Sequence, residues 1–210
     1  MTKHRKLPYT SVVVAVGTIA VGCQYLSPGD TSGIAGTADL QEKLDGLTIK
    51  PENTSYDYDR DEWPHWSSVG NGCNTRDVVL LEQENLTPGE GCEIPDATWT
   101  SVFDNQTVSD PSKLDIDHVV PLAEVARSGA HDWTESERER FANDTRFLIA
   151  VTASSNREKG DQDPADWMPS NVSYHCEYIN IWIKAKHTYD LTVDQDEHDA
   201  LSSVLDTCGM

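Results

Sequence analysis

Residues 113–120 read Lys-Leu-Asp-Ile-Asp-His-Val-Val, and their alternation decides the fold. In an extended chain Leu114, Ile116 and His118 share one side, while Asp115 and Asp117 share the other. Pro121–Ala130 then predicts a short helix stopped by Gly129. Thr134-Glu135-Ser136-Glu137 is a capping box that opens a helix to about Ala142. Arg146–Thr152 is an apolar, β-branched run that predicts a second strand. Ala153–Asp161 predicts a helix with Ser154 or Ser155 as its N-cap. The order is strand, long connection, strand, helix.

Beyond this centre the signals are weaker. Cys176–Tyr189 has apolar residues at Tyr178, Ile179, Trp182 and Ile183, as an amphipathic helix requires, and Thr192-x-x-Gln195 is expected to cap a last helix. Upstream, Cys73–Gln83 suits a strand or a short helix, and Trp99–Phe103 a strand. The aromatic cluster Tyr56–Trp66 is expected to begin the folded part. Residues 24–50 are rich in Gly, Ser, Thr and Asp and are expected to be a flexible tether. At 210 residues the chain has room for one domain, placed at 51–210 with its core at about 113–162.

The first 23 residues resemble an address. Lys3, His4, Arg5 and Lys6 form a positive start, and Ser11–Gly22 is an apolar run too short to span a bilayer, so an export signal is expected. Ala20-Val21-Gly22-Cys23 resembles the acylation box of lipoproteins, with Cys23 as the lipidated residue, although Ala20 stands where Leu is usual. Membrane attachment is expected only through such an anchor. Four cysteines remain, Cys73, Cys92, Cys176 and Cys208, and four cysteines allow three pairings. Nearest-neighbour pairing is the expectation because each pair brackets one compact segment. A four-cysteine zinc site is the alternative, but no C-x2-C spacing supports it.

The formal net charge is −20, and all 36 acidic residues lie beyond Cys23. Aspartate outnumbers glutamate and lysine is scarce, a balance that keeps a surface hydrated in brine, so a salt-loving source is expected; an ordinary acidic secreted protein is the other reading. Such a surface repels nucleic acid in dilute buffer. At about 1 M salt the Debye length is near 3 Å, which leaves only short-range contacts to decide binding.

Three stretches carry a family resemblance: Asp117-His118-Val119-Val120-Pro121-Leu122-Ala123-Glu124, Phe141-Ala142-Asn143-Asp144, and Asn156-Arg157-Glu158-Lys159-Gly160-Asp161. They resemble the exported HNH endonucleases, whose core is the ββα-metal fold. The flanks Cys73-Asn74-Thr75-Arg76-Asp77, Tyr174-His175-Cys176 and Trp182 extend the likeness over roughly residues 56–208. The resemblance implies an α+β fold with flanking helices and a small N-terminal subdomain. It also implies hydrolysis of nucleic acid, DNA rather than RNA, with little sequence specificity. His118 would be the general base, Asp117 and Asn156 the metal ligands, and Asn143 the residue tying the connection to the histidine strand. Asparagine at position 156, where the family name has a third histidine, favours a hard ion such as Mg²⁺ or Mn²⁺.

The chemistry explains the residue types. Histidine has the ordinary pKa suited to deprotonating water near neutrality. Arg157 and Lys159 would face the charge that builds on phosphorus. Glu124 is read either as a carboxylate supporting the site or as an ordinary helix residue. Arg60, Arg76 and Asp77 could reach substrate, but salt bridges are the simpler reading. His65 and His175 are expected in the core, His187 and His198 in solvent. Five N-x-Ser/Thr sequons begin at Asn53, Asn85, Asn105, Asn143 and Asn171; a glycan at Asn143 would block the site. The rival from another class is a non-catalytic envelope module that binds divalent cations or a partner protein.

Overall fold

The computed structural model describes residues 32–209. The export leader and the lipidation expected at Cys23 lie outside them. Seven α-helices are formed among the described residues: α1 Ser32–Asp45, α2 Thr75–Gln83, α3 Leu122–Arg127, α4 Glu135–Ala142, α5 Ala153–Lys159, α6 His175–Thr188 and α7 Gln195–Leu205. Three antiparallel two-stranded sheets accompany them: β1 Ser68–Gly70 with β2 Cys73–Asn74, β3 Trp99–Thr100 with β4 Thr107–Val108, and β5 Leu114–His118 with β6 Leu148–Thr152. Mixed helix and small antiparallel sheets make this an α+β protein.

The β5–β6 pair has the alternation read from the sequence. Leu114 lies opposite Thr152, Ile116 opposite Ala150 and His118 opposite Leu148. Residues opposite one another share a face, so Leu114, Ile116, Leu148 and Ala150 form one apolar surface, buried with Val79 and Leu80 of α2 and with Trp99. Gln83 covers the free edge of β6: its Oε1 accepts from Ala150 N at 2.9 Å and its Nε2 donates to Ala150 O at 3.1 Å. A side-chain amide thus takes the place of a further strand. Arg76 holds β5 from the same helix, donating to Pro111 O at 2.8 Å and Leu114 O at 2.9 Å.

Helix boundaries follow local chemistry. Asn74 caps α2 in a reciprocal box with Asp77, which settles Cys73–Gln83 as mainly helix. Thr134 and Glu137 form the expected box at α4, and Gly129 after α3 takes φ 126°, a conformation glycine adopts without a Cβ clash. Two caps differ from expectation. Thr152, not Ser154 or Ser155, caps α5 by accepting from Ser155 N. Asp194, not Thr192, caps α7, because the Asp194 carboxylate accepts from Glu197 N while the Thr192 hydroxyl donates to Ser128 O. The strand expected at Trp99–Phe103 is reduced to its first two residues.

The described part of the expected tether, residues 32–50, packs into the fold. Within residues 24–50, α1 is helical, and Leu40, Leu44 and Leu47 bury in the main core with Tyr178, Ile179, Trp182 and Ile183 of α6. Ile49 and Val193 form a parallel bridge, and Lys50 N donates to Val193 O at 2.8 Å. The folded part therefore starts well before Tyr56. Both expected disulfides are present, Cys73–Cys92 and Cys176–Cys208, with Cα–Cα distances of 5.0 and 5.6 Å.

The helical half is organised around a buried charge. Lys186 is fully buried, and its ammonium donates to Glu124 Oε1 (2.6 Å), Ser128 Oγ (2.7 Å), Thr192 O (2.9 Å) and Glu197 Oε2 (3.1 Å). Burial opposes the charge on Lys186, yet Glu197 and Glu124 outweigh it and hold its pKa above the ordinary value. Burial also opposes ionisation of Glu124, but Lys186 and a hydrogen bond from Glu52 bring that carboxyl down to about 2. Burial and its bond to Glu124 raise the pKa of Glu52, against the pull of Arg127, whose Nε lies 2.9 Å from Glu52 Oε2. Glu124 is thus a structural anchor of the helices rather than a neighbour of His118. Removing one partner from a buried ion pair strands the other charge and costs about 3–5 kcal/mol. Lys186→Met should lower stability by that amount in urea unfolding, and Lys186→Met with Glu124→Gln and Glu197→Gln should recover much of it.

Candidate active site

His118 ends β5 on the face that looks toward α2, and two contacts fix its ring. Its Nε2 lies 2.9 Å from Ala142 O. A carbonyl can only accept, so Nε2 carries the proton and Nδ1 keeps a free lone pair. The indole of Trp66 stacks on the imidazole, with centroids 5.7 Å apart and planes inclined by 29°. His65 meets Trp66 edge-on at 5.2 Å, and an Arg60 guanidinium nitrogen lies 3.4 Å from His65 Nε2. His118 is 7% exposed. Burial, helped by the positive charges of Arg60 and Lys159, pushes its pKa down to about 3, so the ring is neutral across the physiological range.

The opposite face of β5 belongs to α5. Lys159 is completely buried, and its Nζ lies 2.7 Å from each carboxylate oxygen of Asp117 and 2.8 Å from His118 O. Lys159 was expected at the substrate phosphate and Asp117 on a metal. Instead they neutralise each other beneath the helix, because an ammonium with three oxygen acceptors is the arrangement that makes burying both charges tolerable. Burial raises the Asp117 pKa and lowers that of Lys159, with each partner opposing the shift of the other. Asp117 is only 4% exposed, so its oxygens are both occupied and out of solvent.

The open carboxylate on this face is Asp115, which the sequence reading passed over. Asn156 Nδ2 lies 3.3 Å from Asp115 Oδ2, and Arg157 Nε lies 3.7 Å from the same oxygen. Both Asp115 and Asn156 are half-buried, and the Arg157 side chain is 77% exposed. The signal for Asp115 was its place two residues before Asp117 on the same strand face. Asp115 and Asn156 carry oxygen donors of the kind a hard cation takes. They share no hydrogen bond with the His118 ring, which turns to the other side of the strand.

Asn143 is brought near the site but does not touch His118. Its Oδ1 accepts from Ser67 N (2.8 Å) and Thr75 Oγ1 (2.7 Å), and its Nδ2 donates to Pro64 O (2.9 Å) and Glu139 O (2.8 Å). The link from this turn to the histidine is the neighbouring carbonyl, Ala142 O. With both amide protons used, the Asn143 sequon has no free nitrogen for a glycan. Of the other side residues, Arg76 serves β5, Asp77 serves the α2 cap and Arg60 lies over His65. His65 and His175 are half-buried with ring nitrogens on Trp63 O and Pro169 O, whereas His187 is exposed and His198 partly so.

A second carboxylate group lies elsewhere: ligand atoms of Glu52, Asp163 and Asp194 fall within 4.8 Å of one another. No described helix is long and apolar enough to cross a membrane.

Residues 78–204 match the family described as GmrSD restriction endonucleases, C-terminal domain, a stretch that includes β5, β6, α5 and Asn143. The chain belongs to this family. Over 206 residues it is 40% identical to a protein of Arthroderma benhamiae described as an uncharacterized secreted protein, covering 97% of this chain and all of that one. Like that relative, this GmrSD-type nuclease domain is extracellular. No solved structure matches it.

The depressed pKa of His118 has a measurable consequence. Between about 3 and the ordinary 6.5, an unfolded chain binds a proton at this residue and the folded chain does not. The stability from neutral burial is complete above 6.5 and is lost as pH falls. Measured by urea midpoints, the stability of the wild type relative to His118→Gln should decline from pH 6.5 to 4 by up to about 1.4 kcal/mol per pH unit, and should be level above 7.

Proposed function

We propose that the protein is an extracellular, metal-dependent HNH-type endonuclease that hydrolyses phosphodiester bonds with little sequence preference, in DNA more than in RNA. The observation that carries this reading is the state of His118. Its Nε2 proton is committed to Ala142 O, which leaves Nδ1 as a neutral base at the end of the first strand of a strand–strand–helix unit. In this reading Nδ1 takes a proton from water as the water oxygen bonds to phosphorus. The bond from phosphorus to the 3′ oxygen then breaks, and the departing oxygen gains a proton, giving 5′-phosphate and 3′-hydroxyl ends.

Asp115 and Asn156 would hold the divalent ion, Mg²⁺ or Mn²⁺, in place of the pairing of Asp117 with Asn156 that the family resemblance implies. When bound, the ion would supply Lewis-acid stabilisation of the departing oxygen, and because the His118 ring faces the other side of β5, a substrate phosphate would meet both only around the end of the strand at His118. Arg157, exposed beside Asp115, is suited to pair with a phosphate oxygen. Lys159 acts through position alone, by holding Asp117 and the His118 backbone. The family is named for restriction endonucleases, but the secreted relative supports a role outside the cell, on extracellular nucleic acid.

The rival, a cation- or protein-binding envelope module, retains the fold without the base. Plasmid digestion separates them. The wild type should nick and linearise plasmid with Mg²⁺ or Mn²⁺ and not with EDTA, and cleavage should hold or rise from low to molar KCl as screening weakens repulsion from the acidic surface. His118→Ala should lose at least about 100-fold in rate, the range of general-base catalysis, while keeping its fold. Equal digestion by mutant and wild type would favour the non-catalytic module.

A further inference from the structure

Trp66 is half-buried and has φ 61°, the left-handed region that bulky residues avoid. Such a conformation persists only where the surroundings over-determine it, and it costs of order 1–3 kcal/mol. Here the surroundings do so. Asn143 holds the carbonyl of Pro64 and the amide of Ser67, the groups on either side of the bend. Thr75 N donates to Ser67 O at 3.1 Å. Three segments of chain therefore converge to present one indole, and what it is presented to is the face of the His118 imidazole.

We propose that Trp66 is a positioning residue for the His118 base. This inference rests on the nuclease reading above. An imidazole tied only through Nε2 can still swing about that hydrogen bond. The Trp66 ring blocks that motion from one face, so that Nδ1 holds one direction. The apolar indole also excludes water from that side of the ring. Asn143 then matters through Trp66: it braces the bend that carries the indole and makes no contact with the imidazole itself. The backbone strain at position 66 is maintained because relaxing it would withdraw the ring.

The test compares Trp66→Leu, which keeps apolar packing without an aromatic face, with Trp66→Phe, which keeps a face. In plasmid cleavage with Mg²⁺, Trp66→Leu should lower kcat about 10- to 100-fold with KM changed less than about twofold, and Trp66→Phe should return kcat to within about threefold of wild type. NMR of the His118 ring, assigned by its loss in His118→Gln, gives a readout independent of turnover. The wild type should show ring-current-shifted carbon-bound protons and the Nε2-protonated tautomer alone. Trp66→Leu should show unshifted protons and mixed tautomers, with circular dichroism unchanged. Wild-type kcat in Trp66→Leu, a loss confined to KM, or unshifted His118 resonances in the wild type would each overturn the proposal. Retained cleavage by His118→Ala would instead overturn the base assignment, whereas its loss beside a fully active Trp66→Leu defeats this inference alone.

Discussion

The ammonium of Lys159 sits in a cage of three oxygens, two from Asp117 and one from the His118 backbone. Fully desolvated ions are tolerated only when their hydrogen-bonding capacity is met, and the cage meets all three donors of the lysine. Because α5 carries one partner and the end of β5 the other, the pair fixes where the helix lies along the hairpin. Asn156, one turn earlier on α5, is thereby set beside Asp115, two residues earlier on β5. The same cage fixes the backbone of His118, whose ring points the other way.

β5 is consequently a partition. On one side the imidazole is enclosed by Trp66 and the Ala142 carbonyl; on the other, a carboxylate, an amide and an exposed guanidinium gather around the start of α5. Each side draws on distant sequence. The imidazole side depends on Pro64–Ser67 and on Asn143, bonded across 76 and 79 residues. The α5 side depends on Asp104, which accepts from the Thr152 and Ser155 hydroxyls at the helix start, at 2.5 and 2.8 Å. Burial works against the Asp104 charge, but those hydroxyls and that of Ser101 outweigh it and keep its pKa below the ordinary value. A small hairpin and a seven-residue helix could not hold such an arrangement alone; the surrounding caps and straps do so.

What could be read from the sequence was what is local. Strand alternation around Asp117, the capping box at Thr134 and the stop at Gly129 are each set by neighbours within a few residues, and each is found; the cysteine pairs, 19 and 32 residues apart, follow from each bracketing one segment. The partnership of Asp117 with Lys159 spans 42 residues and depends on which side of α5 faces the strand, which no periodicity in seven residues can specify. Nothing in the sequence sets Asp115 apart beside the adjacent Asp-His pair, although strand alternation places Asp115 and Asp117 on one face. The sequence shows Trp66 only as the end of an aromatic cluster; its left-handed backbone and its stack on His118 are tertiary facts. Helix α1 is hidden by Gly33, Gly36 and Thr37, while Leu40 and Leu44, four residues apart, carry the signal of one buried face.

That helix bears on how the molecule can be handled. α1 contributes Leu40 and Leu44, and the turn after it Leu47, to the same apolar core as α6, and the chain beyond runs beside Val193 ahead of α7. A recombinant chain started at residue 51, where composition alone would place the domain edge, would leave a greasy trough along α6 open to water. Such a product would be prone to self-association and to loss during purification. Expression boundaries drawn upstream of Ser32 keep that trough filled.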